Sequence, residues 1–392
     1  MHLWPRHTGM IVMRVTAAVA AVALFAAVAE AGPREQAKRM HDRIAGVPPS
    51  DAVLSAMEAD IAAGRTQQAA LRAMDDPAFY AVTLKNLVTP WTNRDQTVFA
   101  PLNDYTATVI GMVRDDVPFN QLLSGDILYV GNAGLGLPAV SASDNTHYDQ
   151  LESRGIDLRT GLQRTTQSAA YGIPAAATAG VLTSRAAAQS FFIAGTNRAM
   201  FRFTMLNHLC RNLEQVHDTT RPPDRIRQDV SRSPGGDARL FLNNCVGCHA
   251  GMDPMAQAFA YYNFDSTQGR LVYTAGSVQP KYSINADTFR QGYVTQDDAW
   301  ENRWRHGPNA LLGWDPALAG SGSGAKSLGQ ELGNSDAFAS CQVEKVFRTV
   351  CLRSPVDTAD RDQISTMVGS FRAGGYRLKQ VFADAATYCM GP

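Results

Sequence analysis

An excess of charge of either sign is what this chain most plainly lacks: Lys and Arg together number 36, and so do Asp and Glu. Without a cationic surplus, nucleic acid and anionic membrane surfaces are poor main partners, because both reward clustered positive charge. Histidine is scarce, at 8 of 392 residues, which argues against a chain built around many histidine-ligated groups. Beyond residue 31 no apolar run approaches the roughly 18 residues needed to span a bilayer. Internal repeats are absent, and low complexity is confined to "GSGSG" at 320–324. That stretch continues as "GSGSGAKS", but a phosphate-cradling loop needs glycine directly before lysine, and Ala325 intervenes. It reads as a flexible loop. No serine, histidine and acid fall at a spacing that suggests a hydrolytic triad.

What remains is ordinary for a globular protein: 45% apolar and 18% charged residues. The length fits two domains at roughly 150 residues each. The first 31 residues read as a leader. Arg6, His7 and Arg14 give a basic start, and Val15 to Val28 is an apolar run of 14. Ala29-Glu30-Ala31 then supplies the small-x-small pattern of a signal-peptidase site, so cleavage is expected after Ala31. The run is short for a membrane anchor, and no cysteine stands at the cleavage site to carry a lipid. The mature chain is expected to be exported, to a periplasm or cell surface, with no membrane span.

The mature sequence reads as mainly α-helical. "PREQAKRMHDRIAG" and "DAVLSAMEADIAAG" carry helical periodicity and stop at glycine. Residues 219–236, "TTRPPDRIRQDVSRSPGG", hold three prolines, two glycines and four arginines and read as a linker. The expected organisation is therefore a helical N-terminal domain over 32–218, the linker, and a C-terminal domain over 237–392. "SDAFASCQVEKVFRTV", Ser335 to Val350, reads as a helix capped by Asn334 or Ser335.

Six cysteines remain to be placed: Cys210, Cys245, Cys248, Cys341, Cys351 and Cys389. In an oxidising compartment thiols tend to pair. Cys341 and Cys351, ten apart on one helix, would have Cα atoms about 15 Å apart at 1.5 Å per residue. A disulfide needs less than about 7 Å. Each is therefore expected to pair with Cys210 or Cys389; buried free thiols are the alternative.

Cys245-Val246-Gly247-Cys248-His249 carries the chemistry. Two thiols three residues apart at a helix end can add to the two vinyl groups of one porphyrin, and the adjacent histidine can then reach the iron. The preceding "DARLFLNN" reads as a helix with Phe241 four residues before the first cysteine. Competing readings are a redox dithiol, a zinc site, a plain disulfide and chance. A redox dithiol usually follows a strand, zinc needs a fourth ligand, and a disulfide leaves His249 unexplained. One motif implies one covalently attached haem c, with His249 as the proximal iron ligand. For the distal position the candidates are His306, 57 residues beyond His249, then Met367, an upstream residue (His208, Met205 or His217), or an open site. One or two linker arginines are candidates to neutralise the haem propionates, against the plainer reading of a solvated connector. Tyr261, Tyr262, Phe264 and Trp304 are expected to bury the haem edge.

"GVLTSRAAAQSFFIAGTNRAMFRFTMLNHLC" followed by "CVGCHAGMDPMAQAFAYYNFD" resembles the planctomycete-type cytochrome c family of exported proteins. That family has a similar helix ending near "LC", a CxxCH motif running into Asp-Pro, here Asp253-Pro254, and an "ENFD"-like element, here Tyr262 to Asp265. "GGYRLKQVF" is similar to its last domain. The resemblance covers roughly residues 100–390. The family often has a histidine shortly before the first cysteine and a proline-rich run after "LC"; this chain has neither in that form. "GPNALLG" is similar to a stretch of class I cytochromes whose proline carbonyl orients the proximal histidine. This implies a class I-like haem domain in which Pro308 serves His249. The expected function is one-electron transfer to a periplasmic or surface redox partner protein. The alternatives are a peroxidase-like or gas-binding haem protein with an open distal site, and a scaffold whose haem is structural.

Overall fold

A computed structural model describes residues 31–192, 195–227, 238–283 and 292–391. The expected leader, apart from Ala31, and the second half of the linker lie outside the described residues. The chain is mainly helical. Helix α1, Pro33–Ala45, has proline in its first turn, where the missing N–H costs no hydrogen bond, and stops at Gly46 in the left-handed region, φ 76°. Helix α2, Asp51–Ala62, is capped by the Ser50 hydroxyl, which accepts from the Val53 N–H. Then follow α3, Thr66–Ala73, and α4, Asp104–Arg114, capped by Asn103. Helix α5, Arg198–His208, leads toward the cysteine region. There α6, Ala238–Asn244, and α7, Val246–Ala256, follow each other directly. The closing helices are α8, Gly324–Gly333; α9, Asp336–Cys351; α10, Thr358–Ala373; and α11, Leu378–Cys389. Ser335 caps α9 and Asp357 caps α10 through side-chain oxygens.

Among the described residues three antiparallel two-stranded ribbons break the helical pattern: β1, Leu128–Gly131, with β2, Leu162–Thr165; β3, Tyr262–Asp265, with β4, Arg270–Tyr273; and β5, Ala299–Glu301, with β6, Ser321–Ser323. Strands of three or four residues carry too few alternations to register as a period.

The packing does not divide at 219–236. One buried apolar cluster runs from Ala37 to Ala386. Helix α1 packs on α2, α3 and α11, and α11 packs in turn on α9 and α10. Arg39 and Arg43 of α1 donate to the carbonyls of Met390 and Cys389. Helix α8 lies against the turn at 119–123 so closely that a Cβ on Gly329 would stand 1.7 Å from the Leu123 carbonyl oxygen. The expected sequential domains, 32–218 and 237–392, thus share one core, because the apolar faces of the first helices are covered by the last.

The helix bearing Cys341 spans Cys351 as well, and the two do not pair. Cys210 is joined to Cys341 and Cys351 to Cys389, with Cα–Cα distances of 5.3 and 5.4 Å. Both pairings are of the kind the helix rise requires.

Two lysines hold their amines among protein groups. Lys345 donates to the Asn207 carbonyl and lies 3.9 Å from the Trp91 ring centroid. Lys281 donates to the Phe192 carbonyl and to Asn263 Oδ1. Desolvation pushes both amines down to about 7. In the unfolded chain a lysine keeps its proton to roughly pH 10. Between those two values the unfolded state binds more protons, so stability rises with pH; the penalty is full below pH 7 and is relieved above it. The urea midpoint is expected to rise from pH 7 to pH 9, and Lys345→Met to flatten much of that rise. An identical slope in wild type and variant would refute the assignment.

Candidate functional site

Cys245 closes α6, its N–H donating to the Phe241 carbonyl at 2.9 Å, and it also opens α7. At 3.6 residues per turn, Cys245, Cys248, His249 and Asp253 fall on one side of α7, and Gly247 and Gly251 on the other. The glycine side is the tightly packed one. A Cβ on Gly247 would lie 2.3 Å from His217 Nε2, and one on Gly251 would lie 1.9 Å from Trp304 Nε1. Trp304 is fully buried there. Around it the Asp218 N–H donates to the Gly247 carbonyl, Asn309 to the Val216 carbonyl and the Trp314 indole to the Trp304 carbonyl. These contacts clamp the back of α7.

On the cysteine side, Cys245 and Cys248 are free thiols, both half-buried, while the other four cysteines are paired. Cys245 packs with Val246, Phe241 and Ile226. Cys248 Sγ lies 3.4 Å from the Leu213 carbonyl. Burial pushes the Cys248 thiol up, and Glu214 and Cys245 add to it. A catalytic dithiol needs the opposite shift, toward thiolate at neutral pH, and a helix rather than a strand precedes the pair. Among the described residues no group of three or more His, Cys, Asp or Glu side chains is arranged to hold a metal ion directly.

His249 lies beside Phe241, ring centroids 5.6 Å apart, and its Nδ1 is 3.1 Å from Asp253 Oδ1 one turn on. Asp253 is fully buried. Its carboxylate also receives the Arg198 guanidinium, Nε at 2.8 Å from Oδ1 and Nη2 at 3.3 Å from Oδ2. Burial by itself would raise the Asp253 carboxyl; Arg198 and His249 outweigh it and hold the group well below the usual carboxylate range. Arg198 opens α5, so this contact also ties α5 to α7.

The structure therefore brings Cys245, Cys248 and His249 together and adds Asp253 and Arg198. It places the other candidates elsewhere. His306 is exposed and lines a cleft with Arg221, Arg225 and Arg303. Met367 is buried on α10, which packs on α9 and α11. Met205 is buried on α5, and His208 is buried with its Nε2 2.7 Å from the Tyr105 hydroxyl. His217 stacks against Gly247. Asp253, not Pro308, meets His249 Nδ1. Of the aromatic residues expected at a haem edge, Phe264 packs partly buried against the main core, and the other three are engaged by protein groups. Trp304 lies behind Gly251, Tyr261 and Tyr262 pack with Tyr273, and the Tyr262 hydroxyl donates to the Ala177 carbonyl. Of the linker arginines, Arg221 pairs with Asp218 and Arg225 with Glu301, while Arg227 stacks over Tyr282; Arg232 lies outside the described residues.

Asp253 was visible in the sequence as the residue four after His249, a spacing that puts two side chains on one helix face. Arg198, 55 residues away, left no such signal. No family model, curated protein or solved structure matches this chain, so the functional reading rests on the site's own chemistry.

Proposed function

We propose that this chain is an exported c-type cytochrome with one haem, working as a one-electron carrier to another exported redox protein. The observation that carries the reading is the pair of free thiols on α7 beside a histidine whose Nδ1 is already engaged. With four cysteines closed in disulfides, Cys245 and Cys248 are left to form the two thioethers. His249, held at Nδ1, keeps Nε2 for the iron. A bound haem c supplies a one-electron ferric/ferrous couple. The chain's own part is to attach the group, orient its axial imidazole and support that imidazole from behind with a buried carboxylate. The haem-bearing part of the fold takes α5 from before the linker together with α6, α7 and the segment around Trp304. Contact of Nδ1 with Asp253 sets it apart from a class I arrangement, where a proline carbonyl fills that place.

No membrane-spanning helix occurs among the described residues. The test is the optical spectrum of the protein purified from a host that attaches haem c. One haem per chain by pyridine haemochrome and a ferrous spectrum inert to carbon monoxide support the carrier. A carbon monoxide shift moves the assignment to a peroxidase-like or gas-binding protein. Absence of a Soret band refutes both.

A further inference from the structure

The geometry points to Asp253 as a positioning residue: its buried carboxylate fixes His249 through Nδ1 and, balanced by Arg198, sets the ferric/ferrous equilibrium of the haem that His249 carries. This rests on the proposed haem attachment.

A carboxylate taken fully out of water is expensive unless it is paired and hydrogen-bonded. Asp253 is fully buried, and its described partners are His249 and Arg198. A tie between α5 and α7 would need only the arginine. The third contact engages the one ring nitrogen that an axial imidazole leaves over. A ligating histidine that donates its second N–H to a carboxylate has its tautomer and ring orientation fixed, and its basicity toward the metal rises. Here His249 Nδ1–H donates to Asp253 Oδ1. More electron density on the ring stabilises the ferric over the ferrous state and lowers the reduction potential.

Arg198 works in the opposite sense. Its Nε donates to the same Oδ1 that receives His249. It therefore draws charge away from the imidazole and limits how far the potential falls. The pair forms a two-sided control, with the carboxylate pulling the potential down and the guanidinium holding it up.

This arrangement gives opposite signs for two neighbouring substitutions. In the haem-loaded protein, Asp253→Asn is expected to raise the reduction potential by about tenfold in the ferric/ferrous equilibrium, 59 mV for one electron. Arg198→Gln is expected to lower it. Asp253→Glu, which keeps a carboxylate, is expected to stay closer to wild type than Asp253→Asn. The measurement is a potentiometric titration followed optically, with haem content determined alongside. A purely structural tie loosens the same contact in both variants and moves both potentials the same way; that result overturns the inference. So does an unchanged potential in Asp253→Asn. Should Asp253→Asn fail to fold, Arg198→Gln decides alone: a potential that is unmoved or raised refutes the two-sided control. Chains that carry no haem at all refute the proposed function instead, so the two failures are told apart by the haemochrome assay.

Discussion

Cys245→Ala/Cys248→Ala is expected to abolish covalent haem completely while leaving the helical fold in place. The two thiols are the only cysteines in the described structure not already in disulfides, so no other thiol can replace them. They are half-buried, and among the described residues Cys245 packs with the small cluster of Phe241, Ile226 and Val246. Replacing them with alanine removes little packing, and the back of α7 stays clamped by Trp304 and His217. Denaturing extraction followed by intact mass is the direct measurement. Wild type keeps the haem mass on the polypeptide after extraction, the double variant carries none, and each single variant keeps at most one thioether. The far-ultraviolet circular dichroism of the double variant remains helical. A haem adduct that survives in the double variant removes Cys245 and Cys248 from the attachment chemistry.

Cys210→Ala/Cys341→Ala carries the second large effect. This disulfide joins residues 131 apart, from the end of α5 to the middle of α9. In the loop-entropy account, closing a loop that long restricts the unfolded chain by about 5 kcal/mol, against about 4 kcal/mol for the 38-residue separation of Cys351–Cys389. Whole domains are stable by only about 5–15 kcal/mol, so either loss takes a large share. Each crosslink joins one buried cysteine, Cys341 or Cys351, to a half-buried one, so burial does not separate the two and loop length decides. The urea midpoint is expected to fall most when the longer loop is opened and less for Cys351→Ala/Cys389→Ala. A reversed order would show that the loop-length term does not govern these two crosslinks.

Local signals were legible in the sequence because they are written in neighbouring residues. Ser335 before α9, the Gly46 stop of α1 and the Cys245–His249 motif all act within a turn or two of where they stand. The exclusion of a Cys341–Cys351 disulfide was legible too, since helix rise is fixed once the helix is assigned. What stayed hidden was long-range choice. An apolar stripe on α1 says that it will be covered and not that α11 will cover it. The linker composition suggested a boundary, yet Ile226 and Arg227 of that segment are buried, and prolines beside them do not separate cores. Spacing from His249 put His306 at a plausible distance along the chain, but it carried no signal that the nearby Trp304 would pack against Gly251.

The contact of α1 with α11 has a kinetic consequence. Contacts between segments so far apart in sequence raise the contact order, and they close slowly because loop entropy must be overcome before the contact forms. Helices α1 and α3 cannot finish burying their apolar faces by themselves, since part of their cover is α11. A chain emerging N-terminus first therefore presents α1 and α3 unfinished until α11 arrives. Helix α7 lies between them in sequence. The cysteine pair is thus laid out well before the core that will surround it is closed, which leaves an interval in which both thiols are reachable on an otherwise unfinished fold.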